Sequence, residues 1–599
     1  MKKHLYGVLL LLVCTFTHAQ FGKIYTAKEI ITEDSANDIY TNSPAVVVNS
    51  SGKVEAVGTL NSLQTKYRLY KVDNTFINSV IMPGFVEAHT HLQSYGMNAN
   101  LPYIGYFDRP GLNGTIQHGI TSMDSIIIYL KGQLQKSLPL YASGGDPIYF
   151  NCSRFTSQFL DNVSTTVPIV LQLGSGHIVI CNTPMMNVLE TLPGWKTLPP
   201  GTIVRNSDSI PTGELDESAG VEFVLYNFDS LYKKANHGIP FYNPVRLING
   251  ITNGAALMQA AGITTATELM FTAPTAQMLT DDYILYQGVA RLGARLPVRV
   301  VLGYDGFAIH NFFPNSPDSA INYLKEKQKY DDSSLITGPV KFIFDGSIQG
   351  YTAQVDSPYV TQPQNPFWNI SPASIASIMA PYLKNGFSVA IHANGDSAIS
   401  KLITALDSLQ PVKTTPGIWA TIEHDQLTRP YQYAAVSKLP GVAVNLFMNH
   451  IYYYGQQHAK CTVGPAMAFV MDDAYLADSL HIPYSLHSDA PITPAQPLFA
   501  AWVATHRTPA TIPGGYYNNT VFGDTISTPK ALYSITMGGA RLLNLQNMIG
   551  SIEPGKFADF AILSADPLST PLNTIKITGT MKGGQYYQAP ATTATRKKQ

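Results

Sequence analysis

Cysteine is scarce in this chain: four residues in 599, one of them inside the N-terminal apolar run. The remaining Cys152, Cys181 and Cys461 lie far apart and form no C-x-x-C. That excludes both a dense disulfide framework and a thiolate zinc site, while leaving room for one pair to oxidise. Charge is equally thin, with 13% charged residues and a net charge of −1. There is therefore no electrostatic footprint for nucleic acid or for an anionic membrane surface, and the closing TRKKQ reads as a solvated tail. Long apolar runs are absent beyond the N-terminus. There, MKKHLYGVLLLLVCTFTHAQ has two lysines, a run too short to span a bilayer, and a T-H-A pattern. It reads as a secretory signal cut after Ala19. Val13 before Cys14 does not suit a lipoprotein anchor. These features lead us to expect an exported protein, periplasmic or secreted, with no membrane segment once residues 1–19 are removed.

What the chain does have is a series of short β-branched or aromatic runs that end in polar residues. They are INSVIMPGFVEAHTH, GITTATELM, LPVRVVLGYDG, PVKFIFDGS, GFSVAIHANGD, WATIEHD, GVAVNLFMNH and IPYSLHSDAP. Helical stretches such as DSAISKLITALDSL separate several of them. Strand and helix in alternation specify β/α units and a parallel sheet. Eight such runs predict an α/β fold built on a distorted (β/α)8 TIM barrel over 81–99 and 251–545, with its chemistry at the C-terminal strand ends. The long gap after the first strand predicts an inserted subdomain over 100–250. The β-type segments of 20–80 and 546–590 are too small to stand alone and predict a composite β-sandwich made from both chain ends.

Residues i and i+2 of a strand face the same side, so His89 and His91 offer a half-site for a borderline cation such as Zn²⁺. An isolated H-x-H is weak, because surface histidines near a strand end give the same pattern. The grouping is what matters: Lys341, His392, His424, His450 and Asp489 fall in or at the ends of later predicted strands, which a barrel gathers together.

The motifs PGFVEAHTHL, SGHIVICN, PTGELDE, VKFIFDGSIQGYTA, IHANGDSAI, IEHDQL, HSDAP and GSIEPGKFADFAIL resemble those of the amidohydrolase superfamily. More narrowly, they resemble the YtcJ-like, amidohydrolase 3 group related to N-substituted formamide deformylase. The resemblance spans about residues 23 to 588. It implies one or two divalent transition metal ions of the zinc type. His89 and His91 would hold the more buried ion and His392 and His424 the second, with Asp489 as ligand and general base. Lys341 matches a lysine that is carboxylated and bridges two metals in many members; the alternative is an ion pair with Asp345 or Glu268. His177 and Asn182 would either cover the metal and contact substrate or stabilise the insert. His450 would polarise a substrate carbonyl or anchor a loop. Asp396 suits a helix cap, and Glu214 has no assigned role. Glu87 and Glu268 are acidic where relatives commonly carry aspartate.

The implied activity is hydrolysis of an amide-type, non-peptide or peptide-like C–N bond in a small molecule by metal-activated water. A non-catalytic exported binding protein and a metal-dependent ester, lactone or phosphoester hydrolase are the competing readings. Association into homo-oligomers is left open.

Overall fold

The computed structural model describes residues 22–590 apart from 136, 292–295, 315 and 366. The signal-peptide expectation and the basic tail lie outside the described residues.

Eight parallel strands form the central sheet in the order of the chain. Strands one to four are Phe85–Glu87, Ile263–Phe271, Arg299–Asp305 and Leu335–Ile343, and strands five to eight are Val389–Ala393, Ala420–His424, Val442–Leu446 and Tyr484–Leu486. Alternation sorts their side chains. In strand four, Val340 and Phe342 join the outer apolar core beneath the helices, so Lys341 points the other way, into the barrel. Strand five does the same, with Val389 and Ile391 outward and His392 inward.

Among the described residues no ladder pairs strand eight with strand one. The seam is crossed by two single bonds instead. The Glu87 carboxylate accepts the Ser488 N–H at 2.8 Å, and the His91 N–H donates to the Ala490 carbonyl at 2.8 Å. Glu87 therefore acts as a clasp across the seam, and the H-x-H stands directly beside it.

The chain ends meet in a second sheet of eight strands, in which Lys71–Pro83 lies between the N-terminal strand Lys23–Ile31 and the C-terminal Phe560–Leu563. It packs around its own apolar core, which includes Val46, Phe76, Phe560 and Met581. The expected first barrel strand is thus two strands in series, broken at Gly84. A Cβ there would lie 2.1 Å from the Thr264 hydroxyl, so only glycine lets strand two approach this closely. Arg299 on the barrel floor pairs with Asp559 of the C-terminal segment, both buried, and ties the two sheets together.

Between strands one and two lies a five-stranded sheet running from Leu140–Gly145 to Pro211–Asp216, with its own apolar core. A disulfide, Cys152–Cys461, joins this insert to the π-helical turn His458–Thr462 that follows strand seven. Cys181 stays free and buried.

Candidate metal centre

Strand one delivers His89 and His91 into the mouth of the barrel beside Asp489, three residues beyond strand eight. His89 Nε2 lies 3.3 Å from Asp489 Oδ1, and His91 Nε2 lies 3.2 Å from the same oxygen. Two ligands of one tetrahedral ion at 2.0–2.1 Å are about 3.3 Å apart, so this spacing is that of a shared cation. The backbone is bent to achieve it. Asp489 and His424 hold left-handed conformations, with φ of +51° and +72°, strain of the kind that collects at functional sites.

The other face of His89 is fixed by Glu423, whose carboxylate oxygen accepts from Nδ1 at 2.7 Å and from the Asn445 amide at 2.9 Å. That bond sets the tautomer and leaves Nε2 as the free lone pair. His424 and His487 complete a second triad with His89, all three buried. Burial pushes the pKa values of His89, His424 and His487 well below the usual imidazole value, and nearby cationic groups add to the effect. The rings are therefore neutral and able to ligate at neutral pH.

Several buried atoms here have no hydrogen-bond partner: His424 Nδ1, Asp489 Oδ1 and Lys341 Nζ. Native structures rarely tolerate such a convergence. Together with the imidazole and carboxylate donors it fits a divalent transition metal. Lys341 is paired with neither carboxylate offered by the sequence. Asp345 accepts three backbone N–H groups, from Gln354, Asn394 and Gly395, and Glu268 accepts from the Gln93 N–H and the Tyr286 hydroxyl. Burial holds the lysine down at about 8 against the pull of Glu423 and Asp489.

His392 and His177 extend the row of rings. The His392 ring centroid lies 4.5 Å from that of His424 and 4.8 Å from that of His177, which reaches in from the insert. His392 belongs to neither candidate triad; its Nε2 lies 3.1 Å from both the Gly346 carbonyl and the Asn394 amide. His177 Nδ1 is 2.8 Å from Glu217, a fully buried residue with φ of +60° that also accepts from Asn369 at 2.7 Å. Burial works against charge on His177, but the Glu217 carboxylate, joined by Asp489 and Asp345, outweighs it and raises the ring's pKa.

Two assignments need correction. His450 does not end strand seven: the strand stops at Leu446 and His450 sits in the helix Asn449–Gln457. Its Nδ1 lies 3.1 Å from His458 Nε2, and the Phe447 ring stands between it and His487, with centroids 4.3 and 4.8 Å away. Asn182 faces away from the cluster and holds the insert together. Its oxygen accepts from the Ile169 and Met185 N–H groups, the second capping the helix Thr183–Leu189, and its amide donates to Ser164 and Val167. Asp396 begins the helix Asp396–Leu409 and is bound by Arg429, while Glu214 pairs with Arg154.

The residues that sequence reasoning missed are His487, Glu423 and Glu217. His487 and Asp489 repeat the i, i+2 spacing that singled out His89 and His91, so the signal was present. Glu423 and His424 are neighbours, which in a regular strand face opposite sides; the left-handed backbone at His424 brings both to the site.

The family model described as "Amidohydrolase family" matches residues 78–587. The chain belongs to the amidohydrolase family. Within reach of this amidohydrolase are the protein LONG AFTER FAR-RED 3 of Arabidopsis thaliana, 24% identical over 94% of this chain and 91% of that one, and YtcJ of Bacillus subtilis, 22% identical over 89% and 94%. Among solved structures, an uncharacterized metal-dependent hydrolase of Pyrococcus horikoshii covers 92% of the chain and is itself covered to 99%. Its TM-score is 0.66 at 19% identity, which establishes the shared fold.

Proposed function

We propose that this amidohydrolase is an exported enzyme that hydrolyses a non-peptide or peptide-like C–N bond of a small amide or formamide with a zinc-type ion. The observation that carries the reading is Asp489 Oδ1 set 3.2–3.3 Å from two imidazole nitrogens with no hydrogen bond to either. His89, His91 and Asp489 would hold the ion, with His424 and His487 beside them. An ion bound there supplies an activated water and a Lewis acid for the carbonyl. Asp489 takes the water's proton and returns it to the departing nitrogen, which leaves poorly without one. Glu423 keeps His89 in the tautomer that ligates.

His89 has only Nε2 to offer, because Nδ1 is committed to Glu423. One ion therefore uses His89, and a second position depends on His392 and a carboxylated Lys341. The unpartnered amine of Lys341, which burial lowers to about 8, sheds its proton far more readily than an ordinary lysine and so is suited to capture CO2. The N-terminal signal pattern and the Cys152–Cys461 disulfide support export, since disulfides persist in oxidising compartments.

Elemental analysis of the mature protein, combined with a screen of N-acyl and N-formyl amines against esters, lactones and phosphoesters, tests the reading. One or two equivalents of transition metal and chelator-sensitive amide hydrolysis are expected. Full amide hydrolysis by metal-free protein would sink the metal mechanism, and cleavage of esters alone would replace the C–N assignment. Glu217→Gln keeps the shape of the bond to His177 but removes its charge. Metal content should stay unchanged while kcat falls roughly 10- to 100-fold with little change in KM, and steady-state kinetics on the metal-loaded variant reads the split.

A further inference from the structure

At the end of the barrel opposite the metal centre lies a cavity of about 630 Å³, within the range of small-molecule sites. It opens between the N-terminal sheet and the start of strand eight, where Pro483 and Tyr484 form part of its wall. Asp489 lies beyond the other end of that strand, so the cavity is not a substrate subsite.

Glu33 lines it. The residue follows the strand Lys23–Ile31, is 7% exposed, and holds a left-handed backbone with φ of +50°. Among the described residues no hydrogen bond or ion pair to its carboxylate is formed. Burial, with Asp34 alongside, pushes its pKa up to about 7. Two features thus coincide at one residue: a left-handed backbone, and a largely buried carboxylate with no counter-charge that faces the cavity. The turn itself holds that backbone, with the Thr32 N–H donating to the Asp38 carbonyl and Asp34 accepting from the Ala36 and Asp38 N–H groups, but among the described residues none answers the carboxylate.

The rest of the cavity says what kind of partner would. Ile31, Ile39 and Leu568 supply apolar wall, and Ile39 and Leu568 are themselves exposed, at 48% and 37%. The cations at the rim do not answer Glu33: Lys530 is paired with Asp478, and the exposed Arg541 donates to the Tyr533 hydroxyl at 3.3 Å. Nor does the cavity resemble a metal site, since Glu33 belongs to no cluster of ligating side chains among the described residues. The unanswered buried charge among the described lining residues is a single carboxylate beside apolar surface; His481 and Arg541, also in the wall, are exposed to solvent.

We infer that this cavity is a second, non-catalytic ligand site that takes an organic ammonium ion, its charge on Glu33 and its apolar body against Ile31, Ile39 and Leu568. The inference is independent of the hydrolytic reading.

Titration calorimetry of the metal-loaded mature protein at pH 8 with hexylammonium chloride tests it, with hexan-1-ol and sodium hexanoate as controls. Saturable binding of the ammonium alone is expected, weakened roughly ten- to hundredfold in Glu33→Gln. Leu568→Lys, which leaves Glu33 untouched and adds a cation at the rim, should weaken it as well. Absence of saturable binding to the wild type, equal affinity in Glu33→Gln, or hexanoate binding as tightly as hexylammonium would each overturn the proposal. If Glu33→Gln fails to fold, Leu568→Lys decides: unchanged affinity there overturns the proposal and weakened affinity supports it.

Discussion

Asp489→Asn should stop hydrolysis while leaving the fold and most of the metal in place. Asparagine has the same shape as aspartate and tolerates the left-handed backbone that Asp489 adopts, so the substitution adds little strain. Its amide oxygen can still face the ion beside His89 and His91. What it lacks is basicity, and loss of a positioned general base is worth on the order of 10²–10⁴ in rate. His89→Ala should behave differently, because it removes the residue common to both candidate triads and leaves the buried Glu423 with only the Asn445 amide as partner. That variant should lose metal as well as activity. Parallel metal analysis and initial-rate measurements separate the two, and an asparagine variant that keeps a tenth of the wild-type rate would remove Asp489 from the proton transfer.

Reduction of Cys152–Cys461, or Cys152→Ser, should produce the largest change in stability. The bridge spans 309 residues of sequence and fastens the insert to the turn after strand seven. A cross-link of that span restricts the unfolded chain strongly, and removing it should cost roughly 2–5 kcal/mol. The effect should also be local in the native state, because His177 reaches the centre from the insert and depends on that body staying docked. Calorimetric melting of oxidised and reduced protein, with the metal content of each, checks this. Identical melting temperatures would show that non-covalent contacts, among them the Glu217–Asn369 and Tyr149–Tyr453 bonds, suffice to hold the insert. The remaining thiol, Cys181, is buried and burial raises its pKa, so it should not exchange into the bridge.

Periodicity made the barrel legible. Short apolar runs ending in polar residues marked strand after strand, and the position of each ending marked which end carries chemistry. His89, His91, His424 and Asp489 followed from that geometry. Harder to see was anything that depends on a departure from regular backbone. Strand alternation places either Glu423 or His424 inside, not both, and no local signal announces the left-handed turn that admits the pair. His450 was misplaced for a related reason: GVAVNLFMNH stays largely apolar up to its closing Asn-His, but the strand stops at Leu446 and a helix begins at Asn449. Asn182 came from the SGHIVICN resemblance, which left substrate contact and support of the insert open, and its bonds to four backbone groups are those of support. The choice of Cys152 and Cys461 among three candidate cysteines required knowing where the insert packs.

The seam between the first and last strands also has a consequence for when the site can form. His89 and Asp489 are separated by about two-thirds of the polypeptide, and two bonds across the gap come from residues that flank them. No nascent chain that lacks residue 489 has an intact ligand set, however much of the barrel has already condensed. Metal capture must therefore be a late event, coupled to the joining of the two barrel edges. A protein that crosses a membrane before it folds would take its ion from the compartment it arrives in, and the metal available there, more than the one in the compartment of synthesis, would decide what the centre holds.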